Sequence, residues 1–114
     1  MTGQNKLPKP PSAYSDFVAR FPKLGQAWDL LAEGGKDGPL DERTARLVKL
    51  AIAIGAGKEG AVHASVRKAQ AIGITLEELE QVVALSAGTL GLPTAVAAHT
   101  WVKETRAGGK GHGD

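Results

Sequence analysis

No cysteine occurs among the 114 residues of this chain. That absence excludes disulfides, thiolate metal ligands, redox-active cysteine pairs and thiol nucleophiles in one step. Aromatic residues are also scarce, at 4% of the chain, although 42% of it is hydrophobic. The core must therefore be built from Ala, Leu, Val and Ile, small side chains that suit close helix-on-helix packing. There is no run of about 18 uncharged apolar residues of the kind a membrane span requires, so no membrane partner is expected. Nor is there a strong excess of either charge: 14 Lys and Arg against 12 Asp and Glu leave a net charge of +2. The basic residues are scattered, at Lys6, Arg20, Lys49, Arg67 and Lys103 among others. Without a basic stripe, no nucleic-acid partner is expected. The stretch from Met1 to Pro11 is polar and Pro-rich rather than a signal peptide, which makes a cytoplasmic protein the expectation.

A chain of this length buries only about 60 to 70% of its unfolded surface. Its core is thin, and self-association is a natural source of further burial. Residues 1–11 and the Gly-rich segment 107–114 hold too little apolar content to order themselves and are expected to be mobile. The single domain is expected between them, over 12–106. Ser12 can cap a helix in two pieces, with apolar residues Phe17, Leu24, Trp28 and Leu31, a break at Pro22 and an end at Gly34, Gly35 and Gly38. Tyr14 and Trp28 read as core or interface aromatics. Asp41 is a good N-cap, followed by Glu42, for a second helix with Leu47, Leu50, Ala51 and Ile54 on its apolar face. A third helix runs from Glu59 to about Ile72, with Val62, Val66, Ala69 and Gln70 on successive turns, and stops at Gly73. Thr75 and Glu78 form a capping box. It opens a fourth helix through Leu79, Val82, Val83 and Leu85 to about Leu90, and Pro93 starts a fifth that carries His99 and Trp101. The pattern is all-helical.

One motif competes with that reading. Gly55, Gly57 and Gly60 spell G-x-G-x-x-G, and the run from Leu47 to Ile54 could be a buried strand feeding a helix, as in dinucleotide-binding folds. Such a site needs a second strand ending in an acidic residue about 20 positions on. The chain beyond Gly73 reads Thr75-Leu76-Glu77-Glu78-Leu79-Glu80 instead, which caps and begins a helix. A phosphate-binding P-loop fails as well, because Glu59 follows Lys58 where Ser or Thr should hold magnesium. The alternative is that these glycines let two helices and their connection pack closely.

Among residues that could do chemistry, Glu59 and His63 stand four apart, on one helix face and within hydrogen-bonding reach. A carboxylate can then orient an imidazole for general acid–base work. The pair can equally be an ordinary surface pair. As a metal site it is short of ligands, since zinc takes three or four; His99 or a carboxylate from elsewhere would have to complete it. No metal and no cofactor are expected. His99, beside Trp101, suits a structural role as well as a functional one, and His112 lies in the tail. No Ser-His-acid set can be assembled locally from Ser65, and Lys58 reads as a solvated charge.

The runs Leu40 to Thr44, Leu47 to Ala53, Glu59 to Ala69 and Gly73 to Leu79 together resemble the carboxymuconolactone decarboxylase and alkyl hydroperoxidase D-like (AhpD-like) family over about residues 14 to 103. The resemblance implies a small AhpD-like helical bundle of about five to six helices, oligomeric as a trimer or hexamer. Its active region would lie at the helix that begins near Lys58. The peroxidase branch of the family carries C-x-x-C, a His four residues later, and a Glu one helix earlier. Those positions correspond here to Lys58, Ala61, Ser65 and Arg46, so all four are replaced. A peroxidatic cycle needs a thiolate that is oxidised and then resolved, and this chain has none. The decarboxylase branch, which works by acid–base chemistry on a carboxylated lactone, is the better likeness. Its helix also usually has His where Ser65 stands, which leaves His63 as the imidazole, with Glu59 its partner. Arg43, Arg46 and Arg67 are the cations that could hold an anionic small molecule by bidentate pairing, with Ser65 and His99 as further candidates for contact.

Two functions therefore stand open. One is a cysteine-free acid–base enzyme, decarboxylase-like, acting on a small carboxylated or lactone metabolite. The other is a non-catalytic oligomeric binding or scaffold protein that has kept the fold without the catalytic set.

Overall fold

The computed structural model describes residues 12–107. The segments expected to be mobile lie outside the described residues, apart from Ala107 at the end of the last helix. The described residues form six α-helices and no strand: α1 (Ser12–Arg20), α2 (Pro22–Gly34), α3 (Glu42–Ala56), α4 (Glu59–Ala71), α5 (Leu76–Leu90) and α6 (Leu92–Ala107). They fall into two units, one formed by α1 and α2 and the other by α3 to α6.

The smaller unit is a helical hairpin with almost no core of its own. The expected break at Pro22 is present, and Pro22 opens α2, where its missing N–H costs nothing. The two helices pack on each other, and Gly25 is the reason they approach so closely, because a Cβ there would stand 3.1 Å from the Cβ of Val18. Phe17 and Phe21 lie against each other with ring centroids 5.2 Å apart, and the Arg20 guanidinium sits 4.7 Å above the Phe21 ring. No residue of α2 is buried. Tyr14 and Trp28 are exposed, so neither is a core aromatic of the single chain.

The larger unit is a four-helix arrangement in which α3 packs on α4 and α5, and α6 closes the ring against both. Local signals set the helix limits. The Asp41 side chain accepts from the Thr44 amide at 2.7 Å and starts α3. Thr75 and Glu78 form the complete capping box of α5, each side chain bonded to the other's backbone N–H. Gly57, in the left-handed region at φ 68°, caps α3 through its amide, and Gly73, at φ 88°, turns the chain beyond α4.

The core is Leu50, Ala53 and Ile54 of α3, Val62, Val66 and Ala69 of α4, Ile74, Leu79 and Val83, and Ala95, Ala98 and Val102 of α6. The α6 set recurs at three- and four-residue spacing, as one buried helical stripe requires. Two expected positions differ. Ala51 is exposed and Ala53 is buried in its place, because α3 is covered by two neighbours whose contact arc lies on the Ala53 side of Leu50. Leu85, expected on the apolar face of α5, is exposed.

The dinucleotide-binding alternative is overturned, since Leu47 to Ile54 is helical and no strand precedes the glycines. The glycines are not close-packing devices either. A Cβ at Gly55, Gly57 or Gly60 would meet nothing within 4 Å, and Gly57 alone is explained, by its backbone angle.

Candidate functional site

Helix α4 begins at Glu59, whose carboxylate in the first turn is favoured by the helix dipole. One turn on, His63 sits beside the buried stripe of Val62 and Val66, so the packing of α4 fixes where its ring emerges. The imidazole Nε2 lies 3.1 Å from Glu59 Oε2, and the His63 side chain is 24% exposed against 54% for Glu59. The expected pair therefore forms.

What the sequence did not reveal is the partner on the other ring nitrogen. His63 Nδ1 is hydrogen-bonded to the hydroxyl of Thr105, which is 42 residues away on α6 and buried. Thr105 Oγ1 donates to the Trp101 carbonyl at 2.9 Å. The Thr105 hydroxyl thus engages both the Trp101 carbonyl and His63 Nδ1, which fixes the orientation of the ring and leaves Nε2 facing Glu59. Nε2 is then the nitrogen that exchanges a proton or a ligand. The neighbouring residue, Glu104, brings a second carboxylate to the same place. One ligand atom from each of Glu59, His63 and Glu104 lies within 4.8 Å of the others. The only hint in the sequence was that Thr105 and Glu104 fall on the last turns of an expected helix. Nothing in their spacing to His63 connects them.

The other candidate residues are dispersed. Arg67, one turn beyond His63 on α4, is half-buried, and burial pushes its pKa down. Among the described residues no carboxylate pairs with it. Arg43 is committed elsewhere, its guanidinium 2.5 Å from Glu78 Oε1. That contact, with the Thr75 amide, holds the Glu78 carboxyl down at about 2. Arg46 is half-buried on α3. Ser65 is buried among the core residues of α4, on the side away from His63. His99 does not join His63; its Nε2 lies 2.7 Å from Glu80 Oε2. That second pair borders an open, mainly apolar groove of about 310 Å³ between α5 and α6, which Val83, Leu92 and Val96 also line. Glu59 and His63 are not among its lining residues.

The model of the carboxymuconolactone decarboxylase family matches residues 22–104 of the chain, well over half of it, and the chain belongs to that family. Among curated proteins and among solved structures nothing matches it. The family, an all-helical bundle and the lack of any cysteine are thus established together. No helix among the described residues is long and apolar enough to cross a membrane.

Proposed function

We propose that the chain is a cysteine-free acid–base enzyme, decarboxylase-like, that acts on a small carboxylated or lactone metabolite. The observation that carries this reading is the hydrogen-bonded series Thr105–His63–Glu59. An imidazole held at Nδ1 and facing a carboxylate at Nε2 is the arrangement that general acid–base catalysis uses, with the orienting groups fixing ring and tautomer. In the reaction the bond to the carboxylate breaks and CO2 leaves, the electron pair of that bond passes into the conjugated lactone, and His63, protonated from solvent, donates its Nε2 proton to carbon. Glu59 stabilises that imidazolium. Arg67, a half-buried cation without a carboxylate partner among the described residues, is the side chain suited to the substrate's carboxylate.

The exposed apolar residues of the hairpin favour a homo-oligomer over a solitary chain, and the family likeness suggests a trimer or hexamer. They would equally serve the second reading, an oligomeric scaffold without catalysis. Turnover of carboxylated lactones separates the two. His63→Gln is expected to lower kcat/KM by about 100-fold or more, and Arg67→Gln to raise KM with a smaller effect on kcat. Equal turnover by the parent chain and the His63→Gln variant would remove His63 from the mechanism, and no turnover across a panel of such acids would favour the scaffold.

A further inference from the structure

We infer that Glu59, His63 and Glu104 form a binding site for a divalent transition-metal ion. Three donors from two helices converge there, with one atom of each within 4.8 Å of the other two. They combine the imidazole and carboxylate types that zinc and manganese accept.

Two further features of the site favour an ion over a mere surface cluster. The first is the way the imidazole is held. Thr105 holds Nδ1 and leaves Nε2 as the ring nitrogen that faces Glu59. Nε2 and the carboxylate oxygen of Glu59 stand 3.1 Å apart. A metal ion can take the position that a proton otherwise holds between them. A ligating histidine whose second ring nitrogen donates to a fixed group is the usual support of a metal site, and Thr105 supplies it here. The second feature is charge. Glu59 and Glu104 set two carboxylates beside one imidazole, with Glu59 at 3.1 Å from it.

The exposed carboxylates are free to rotate inward, as metal–oxygen bonds of about 2.0 to 2.2 Å require. Three protein ligands leave the remaining positions to water, as in zinc sites that take part in reactions rather than hold a fold together. The ion and the proton compete for Nε2, so the acid–base reading above describes the ion-free protein, and the metal site stands whether or not that reading does.

Zinc binding to the full chain, measured by titration calorimetry and by the shift of the thermal midpoint, tests the site. A His112→Gln background removes the histidine of the tail from the comparison. One zinc ion per chain is expected, with proton release that grows as the pH is lowered toward the range where free histidine titrates. Binding is expected to be lost in His63→Gln, weakened at least tenfold in Glu104→Gln and Glu59→Gln, and unchanged in His99→Gln, whose Glu80 partner makes only a two-donor pair. Thr105→Val should weaken zinc about 10- to 100-fold and Thr105→Ser should restore it. Zinc affinity indifferent to both His63→Gln and Glu104→Gln, or no stoichiometric uptake by the parent chain, would overturn the assignment. Glu104 is exposed, so its variant folds even if another does not. Calorimetry needs no substrate, so failure of the enzymatic reading leaves this result unaffected, and the reverse also holds.

Discussion

Glu78 does two jobs with one carboxylate. Its Oε1 accepts from the Thr75 amide at 2.9 Å and also meets the Arg43 guanidinium at 2.5 Å, which ties the start of α5 to α3. Its pKa falls from an ordinary 4.5 to about 2. A carboxyl that is more acidic in the folded chain stabilises the fold above its unfolded value, and that stabilisation is lost as protons return to it. Stability is therefore expected to decline as the pH falls from about 4.5 toward 2. Glu78→Gln keeps a side chain able to serve the capping box but removes the charge. Its thermal midpoint should lie below the parent's at pH 7, and the two should converge near pH 2. Parallel curves over that range would mean that another group carries the acid dependence.

At the scale of the element, α5 carries a cap that α4 lacks. α4 starts at Lys58 without a side-chain cap, whereas α5 has both reciprocal bonds of the box. Thr75→Ala removes the acceptor of the Glu78 amide and should cost about 1 kcal/mol in urea unfolding, while Thr75→Ser should be close to neutral. A loss as large for Ser as for Ala would assign the effect to the threonine methyl instead. The same helix contributes Leu79 to the centre of the core, and Leu79→Ala should cost about 3 kcal/mol because the surrounding helices close the cavity only in part. The two effects test different links, the backbone's free N–H groups in one case and close packing in the other.

For the whole molecule, the unusual quantity is the apolar surface left uncovered. Leu31 is 69% exposed and Trp28 61% exposed on α2, and Leu85 and Leu92 are exposed on α5 and α6. A helix with no buried residue gains little from folding unless something covers it. Under the homo-oligomer proposed above, light scattering should give a mass several times that of the 11.8 kDa chain. Trp28→Glu with Leu31→Glu should shift the protein toward smaller species while α3 to α6 stay helical by circular dichroism. A monomeric parent chain at micromolar concentration would refute the oligomer and leave the hairpin face to another kind of partner.

Much of this protein is written in short-range signals. Asp41 with Thr44, Thr75 with Glu78, and Glu59 with His63 lie within one helical turn, so backbone geometry alone brings them together. The zero count of cysteine needs no structure to exclude thiol chemistry. Local pattern fails where two elements meet. It could not choose the arc of α3 that would be buried, which exchanged Ala53 for Ala51, and it read close packing into glycines that stand in open space. The partners that give the site its character, Thr105 and Glu104, come from α6, as does the His99 that was a possible third ligand and bonds Glu80 instead. Those pairings depend on which face of α6 lies against α4 and which against α5. That is decided by the buried stripe Ala95, Ala98, Val102 and Thr105 seeking cover. The sequence by itself determined the helices, the family and the excluded mechanism, because these rest on composition and on contacts within a turn. The tertiary structure alone decided the surroundings of His63, because residues 42 apart meet only when two helices pack.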